Sequence, residues 1–437
     1  ACGLLWSNWC EYKRKLGVEF GEYSLRQYRY AKDYYKIVQK EEMICSTCMK
    51  QESKSDFSEE QFHILYFLWR NKGETEGEET LCQKCGISSA RIKELLTEMI
   101  EKNLLTADWQ ITSEGIKALE PYRVKNAVIM AAGMSTRFAP LSYEKPKALL
   151  KVKGELLIER EIEQLRDAGI EDIVVVVGYM KEKLFYLADK YQVEIVVNED
   201  YYRYNNTSTL MPVADRLDNT YVCSSDNYFV ENPFEPYVYR SYYAAVYAQG
   251  ETDEYCIFCN KEGRIENVTI GGRDAWYMLG HVYFNHVFSE RFVSILKNEY
   301  KKQITKEHLW EDLYIRYINE LDLYIRRYDS ELIKEFDSLD ELRLFDRNYL
   351  ENSNSMIFHN ICQVLGCMES DIMDIFPIKT GLTNLSFCFS CYGKRYVYRH
   401  PGVGTEEYIN REAEAAVMEI ARELGVDDTY IYIHPTE

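Results

Sequence analysis

Ala127-Val-Ile-Met-Ala-Ala-Gly133-Met-Ser-Thr-Arg137-Phe-Ala-Pro140-Leu141, followed closely by Lys145-Pro146-Lys147-Ala-Leu149, is the stretch whose reading decides the fold. An unbroken apolar run entering a glycine turn reads as a β-strand that carries the chain to the C-terminal edge of a sheet, where open α/β sheets bind ligands. Ala131, Ala132 and Gly133 have small side chains or none, so backbone N–H groups there can come close to a base and to phosphates. Arg137 is a permanent cation with two parallel donors for phosphate oxygens. Lys147 adds a compact positive charge after a turn fixed by Pro146. A plain strand–turn–helix with surface Arg and Lys accounts for any one of these features. The ordered set points to a loop that grips a nucleotide.

The sequence downstream supports the same class of fold. LIEREIEQLRDAG reads as a helix stopped at Gly169. DIVVVVGY is a near-continuous apolar strand, as expected inside a parallel sheet, and it runs out at Gly178. A further helix and the strand VEIVVN follow. Alternating strands and helices from Lys125 to about Asp346 predict an α/β sheet with crossover helices.

Upstream, residues 55–122 read as a small helical domain. Ser58 caps a helix from Phe57 to Trp69, with Glu59 and Glu60 in its first turn. A short helix ends at Gly86, Ser88-Ser89 start another over Ala90–Lys102, and WQITSEGIKALE gives a strand, a turn and a last helix. This order resembles a winged helix-turn-helix domain. From Ser55 to Glu120, however, 7 Lys/Arg stand against 13 Asp/Glu, a balance of −6. DNA recognition usually needs a basic face, so DNA binding stays open beside a packing or regulatory role. Residues 1–54 are left unassigned, with helical character over Tyr23–Lys40.

The whole chain has 437 residues, enough for two or three domains, and a net charge of −19. Thirteen cysteines without framework spacing point to reduced thiols. Two Cys-x-x-Cys pairs, Cys45/Cys48 and Cys82/Cys85, could together take zinc, but the intervening 33 residues exceed the usual ribbon spacing. The second pair also suits the core of the helical domain as free thiols. There is no run of 18 apolar residues and no basic-then-apolar leader, so the expectation is a cytoplasmic protein without a membrane partner. The first residue is Ala, and the sequence reads as a piece of a longer protein.

The AAG…R…KPK set matches the signature of the nucleotidyltransferase superfamily. The runs VVVVGYMKEKLFYL, VVNEDYYRYNNTSTL, YVCSSDNYF and GHVYFNHVFSERF resemble bacterial CTP:phosphocholine cytidylyltransferases over about Asn126–Asp346. The resemblance implies a Rossmann-like mixed-sheet domain over 123–348 that transfers CMP from CTP to phosphocholine with Mg²⁺. Arg137 and Lys147 would act on phosphates. Ala131, Ala132, Gly133, Gly178, Asn206 and Ser208 would hold the nucleotide. Asp226 would bind the metal, with Glu311 as its second carboxylate and Asp312 as the fallback. The family's acid two positions before Asp226 is here Ser224. A choline ammonium can be held by aromatic faces and carboxylates, for which Glu254, Tyr255, Trp276 and Tyr283 are the candidates. Tyr255 stands where the family usually has Trp. A sugar-1-phosphate transferase, or a ligand-sensing regulator whose catalysis has decayed, are the competing readings.

Residues 352–437 carry a second resemblance. Lys379-Thr-Gly381-Leu-Thr-Asn384, Tyr396-Val-Tyr-Arg399-His-Pro-Gly402 and Asn410-Arg411-Glu-Ala-Glu414 look like the N-terminal lobe of bacterial choline kinases. It implies an α+β lobe in which Asn384 belongs to an ATP-covering turn, Arg399 stands in the place of the kinase lysine, and Glu414 pairs with it. The lobe with the catalytic and metal aspartates is absent from this sequence, so the kinase portion is expected to be inactive as given, and the sequence to be a fragment of a longer bifunctional choline kinase/cytidylyltransferase.

Overall fold

The computed structural model describes residues 57–72, 77–350, 353–378, 384–402, 405, 409–426 and 429–434. The chain divides into two compact units, Ala1–Ala118 and Leu119–Glu437. Tyr23–Lys40, Cys45/Cys48 and the 379–383 part of the Asn384 turn lie outside the described residues.

In the first unit, α1 (Glu59–Arg70) opens with a reciprocal cap. Ser58 Oγ accepts from Gln61 N at 3.2 Å, and Gln61 Oε1 accepts from Ser58 N at 3.0 Å. Such pairing satisfies two of the N–H groups that every helix start leaves free. α2 (Glu78–Cys85) stops at Gly86, whose φ of 68° favours glycine. α3 (Ser89–Glu101) buries Ile92, Leu95, Leu96 and Met99. A lone antiparallel bridge, Leu105 to Ile111, precedes α4 (Ser113–Leu119) where a strand was expected. On α3, Arg91 is already engaged by Glu60 at 3.0 Å and Glu94 at 3.1 Å. Cys82 and Cys85 are half-buried free thiols, and burial followed by the charge of Cys82 pushes Cys85 up to about 11.

The second unit is built on one sheet. Its central strands are β1 (Asn126–Ala131), β2 (Ile173–Val177), β3 (Glu194–Val197) and β4 (Thr220–Ser224), in the order β3-β2-β1-β4 and all parallel. The Ile-Val-Val-Val-Val sequence of β2 explains its place. All five side chains are buried, as a strand covered on both faces requires. Each contributes about 2 kcal/mol of apolar burial. One face is covered by α5 (Leu157–Asp167) through Ile158, Ile162 and Leu165. α5 ends two residues before Gly169, whose φ is 80°.

After β4 the chain makes the short β5 (Asn227–Phe229), and then a run of long strands. These are β6 (Tyr242–Tyr247), β7 (Glu251–Cys259), β8 (Ile265–Arg273) and β9 (Trp276–Phe284). β9 joins the parallel core antiparallel to β4, and also pairs with β6 and β7; β8 lies at the edge beyond β7. α7, preceded by a short α6 (Tyr186–Tyr191), spans His286–Glu299 and covers the other face with Phe288, Phe292 and Leu296. The short α8 (Trp310–Arg316), the strand β10 (Tyr324–Arg327) beside β6, and β11 (Ile333–Glu335) complete this part. β11 runs antiparallel to β5, with Glu335 opposite Asn227.

The C-terminal part comprises α9 (Met356–Leu365), a three-stranded antiparallel sheet of β12 (Met373–Ile378), β13 (Asn384–Cys391) and β14 (Lys394–Pro401), and α10 (Arg411–Glu423). It shares an apolar cluster with the segment just after the AAG turn, so residues 352–437 and the sheet form one unit. Among the described residues no helix is long and apolar enough to cross a membrane.

Candidate functional site

The parallel strands β1 and β4 both end on one cleft of about 500 Å³. Its walls are Met130–Ser135 after β1, Pro146–Ala148, Tyr201–Asn206, Ser224–Asp226 after β4, and Glu307. Gly133 faces open space, since a Cβ there would meet no protein atom within 4 Å. The protein's own packing does not demand glycine at that point, which leaves room for a ligand. Gly178 is the reverse case. A Cβ there would lie 2.7 Å from Tyr201 Cβ and 2.8 Å from the Ala132 carbonyl oxygen. Gly178 therefore lets the Tyr201 segment close against the AAG turn; it is a packing glycine behind the cleft.

Lys147 follows Pro146 into a single 3₁₀ turn and is buried, with 7% of its surface exposed. Its Nζ lies 3.0 Å from Asp226 Oδ2 and 5.3 Å from the centre of the Phe138 ring. A buried ammonium needs such a partner. The structure thus joins the two charged ends of the motif, Lys147 from the loop after β1 and Asp226 from the end of β4. Arg137 stands apart, exposed at the crest, with Nη1 2.8 Å from Asp337 Oδ1.

Next to this pair lies an acidic basin of which the sequence had offered only Glu254. Glu335 is placed by the β5–β11 pairing, and its side chain remains open to solvent. The protein around it, then the charge of Asp226, push its carboxyl above its ordinary range, while Lys147 pulls it back. Asp337 and Glu254 act on it as well. Glu254 itself is raised, by burial first and then by Asp337, against the pull of Arg137. The Tyr277 hydroxyl is raised by burial and by Glu254, Glu335 and Asp337. Beneath Asp226, burial and then that same charge hold the Glu161 carboxyl well above its usual range, with the Cys223 thiol as neighbour.

Glu311 sits elsewhere. It is buried, accepts from Asn206 Nδ2 at 3.1 Å and from the Tyr243 hydroxyl at 3.0 Å, and burial pushes it up to about 7. Asn206 also accepts from Trp310 N at 2.8 Å, so it brackets the start of α8 to the cleft wall. The carboxylates that answer to Asp226 are Glu335 and, beneath it, Glu161, whereas the groups acting on Glu311 are Asn206, Tyr243 and Asp312. Ser208 is buried beneath the wall, donating to Asn205 O at 2.8 Å and accepting from Asn198 at 3.0 Å. It shapes the turn that carries Asn206.

The four residues expected to cage an ammonium do not converge. Glu254 and Tyr255 are neighbours on β7, so their side chains take opposite faces. Tyr255 donates to Asp312 at 3.0 Å and packs in the same apolar cluster as Trp276, on the α7 side. Trp276 lies edge-on to Tyr247, with the Arg327 guanidinium 5.4 Å from its ring centre. Tyr283 is fully buried against Tyr221 and Tyr242, because β9 is central at that end. The aromatic residue that faces the basin with Glu254 is Tyr277.

In the C-terminal part, Arg399 lies 3.0 Å from Glu414, which also holds Arg411 at 2.8 Å. Asn384, Arg399 and Glu414 line a separate cavity of about 680 Å³. Among the described residues no group of three His, Cys, Asp or Glu is arranged to hold a metal ion. Asp226 and Glu335 are the pair whose chemistry suits a divalent cation. Asp226 holds the Lys147 ammonium at 3.0 Å, Glu335 feels both charges, and the upward push on Glu335 is what such an ion would reverse.

Known proteins resemble this chain over its central half. The MobA-like NTP transferase domain matches residues 127–291. Choline-phosphate cytidylyltransferase of Streptococcus pneumoniae is 33% identical over 228 residues, covering 52% of this chain and 99% of that one. 2-Aminoethylphosphonate cytidylyltransferase of Lancefieldella rimae is 36% identical over 229 residues, covering 52% and 93%. A solved structure of the pneumococcal CTP:phosphocholine cytidylyltransferase aligns at 34% identity with a TM-score of 0.50, covering 52% of this chain and 98% of that one. This chain belongs to the nucleotidyltransferase family. Its α/β core is a nucleotidyltransferase domain with cytidylyltransferase relatives.

Proposed function

We propose that the protein transfers CMP from CTP to a small anionic acceptor with a cationic tail, phosphocholine first, releasing pyrophosphate. The observation that carries this reading is the buried Lys147–Asp226 pair at the mouth of the AAG turn. It puts a desolvated cation where phosphates would lie, beside a carboxylate that can take a metal. In this reading Ala131, Ala132 and Gly133 admit the nucleotide against bare backbone, Asn206 shapes the opposite wall, and Arg137 leaves Asp337 for the outer phosphates.

The chemical problem is repulsion between two anions. An acceptor phosphate oxygen attacks the α-phosphorus, a new P–O bond forms, and the bond to the bridging oxygen breaks so that pyrophosphate leaves. The acceptor is already ionised at neutral pH and needs no general base. Lys147 screens the approach from within a dry pocket, where its charge counts most. Mg²⁺ held by Asp226 and Glu335 would neutralise charge on the transferring phosphate. The surplus of carboxylates in the basin, Glu254 and Asp337 with Tyr277, favours an acceptor with a cationic tail over a neutral sugar.

A second reading, 2-aminoethylphosphonate as acceptor, is favoured by the same carboxylates. A primary ammonium has protons to donate to them, whereas a quaternary one relies on aromatic faces. In both readings the C-terminal part is choline kinase-like and the first unit a winged-helix module, and neither supplies a group to the Lys147–Asp226 pair. The test is pyrophosphate release with Mg²⁺, each of the four NTPs, and phosphocholine, 2-aminoethylphosphonate or glucose-1-phosphate. CTP with either amine is expected to turn over. Turnover with glucose-1-phosphate alone would overturn the proposal.

A further inference from the structure

The segment from Gly133 to Lys147 has two halves. Gly133, Met134 and Thr136–Arg137 are exposed at the cleft crest. Phe138, Leu141 and Tyr143 are buried, in one apolar cluster with Ile357, Phe358 and Phe387 of the C-terminal part. Polar contacts follow residue by residue. The Tyr143 hydroxyl donates to Ser386 O at 3.0 Å, and its ring stacks on His400 with centres 6.1 Å apart. Glu144 Oε1 accepts from Met356 N at 2.7 Å and Ile357 N at 3.2 Å. Lys145 Nζ reaches Ser353 O at 3.5 Å. Two residues further the segment ends on Lys147, which is pinned to Asp226.

We propose that the C-terminal part positions the nucleotide loop, and that Glu144 is the positioning residue through which it does so. The first N–H groups of a helix lack partners and carry partial positive charge, so a carboxylate there is held by both bond and dipole. α9 is ten residues long and anchored in the core by Ile357, Phe358 and Ile361. It therefore offers Glu144 a fixed anchor three residues before Lys147. A loop released from that anchor spends less time with Lys147 seated, and the apparent affinity for nucleotide falls in proportion. The pneumococcal relative is matched over 99% of its length by 52% of this chain, so it has no equivalent of all the flanking parts; in this protein the nucleotide loop has been built onto an extra partner.

The inference rests on the nucleotidyltransfer reading, and the test separates the two. In the full chain, Glu144→Ala and Glu144→Gln are compared with wild type for binding of the four NTPs, for turnover and for thermal stability. Glu144 does not line the cleft. Glu144→Ala is expected to raise Kd and KM for CTP roughly fivefold, with the acceptor KM changed less than about twofold. Glu144→Gln, which keeps an acceptor without the charge, falls between. Ser355→Ala removes the Oγ that accepts from Phe358 N at 3.2 Å and loosens the same helix end from the other side. It should move the CTP constants in the same direction. A merely structural role lowers the melting temperature and leaves CTP binding unchanged; that result in Glu144→Gln and Ser355→Ala overturns the proposal even if Glu144→Ala does not fold. A wild type that turns over no NTP refutes the functional reading instead.

Discussion

Glu311→Gln offers a quantitative test of which carboxylate serves the site. Glu311 is buried, and its carboxyl is raised from 4.5 to about 7. The folded protein therefore holds a proton that the unfolded chain releases between those two values. Stability of the wild type falls as pH rises through that window, because folding then requires a charged group out of water. Gln cannot ionise, so its protein escapes the loss. With those two pKa values, linkage puts the change in the stability difference between pH 5 and pH 8 at roughly 2–3 kcal/mol in favour of the variant. Urea unfolding of both proteins at the two pH values, without divalent ions, reads it directly. An equal gap at pH 5 and pH 8 would show that burial does not govern Glu311. Mg²⁺ adds a second arm: if it restores the wild type at pH 8 and not the variant, Glu311 is a metal ligand and the assignment to Glu335 is wrong.

Three other outcomes are expected. Lys147→Ala should cost on the order of a thousandfold in kcat/KM for CTP while the protein stays folded, as read by pyrophosphate release beside circular dichroism. Gly133→Ala should leave stability unchanged and weaken CTP, whereas Gly178→Ala should destabilise by about 2 kcal/mol through the clash with Tyr201 and Ala132; chemical denaturation and CTP titration distinguish them. Glu335 must lose its proton to accept a cation, and its carboxyl is raised, so Mg²⁺ affinity should keep climbing above the ordinary carboxylate range, and calorimetric titration of Glu335→Gln should show that climb abolished.

What could be read in the sequence was local. Ala131 to Gly133 and Lys147 follow a strand or a proline turn within a few residues, so their spacing announced them, whereas Asp226 was implied by the family resemblance of the SSDN run. The helix boundaries at Ser58, Gly86 and Gly169 carried their own caps and stops. Glu335 and Asp337 could not be found that way, since only the pairing of β5 with β11 brings them to Asp226. The expected cage went astray for a reason that was legible. Side chains alternate along a strand, so Glu254 and Tyr255 could not share a face, nor could Trp276 and Tyr277. Tyr283 needed the sheet order as well, which places the end of β9 between β4 and β6. Glu311 looked free beside Trp310; its partners Asn206 and Tyr243 come from distant segments.

The Arg137–Asp337 contact joins positions 200 residues apart. During synthesis the glycine turn and its arginine leave the ribosome long before the acids that complete the basin. At about 5–20 residues per second that interval lasts on the order of ten seconds or more. Throughout it Arg137 is without the carboxylate that holds it in the folded protein. The closing of β11 onto β5 is thus a late step, and the basin can be complete only after it.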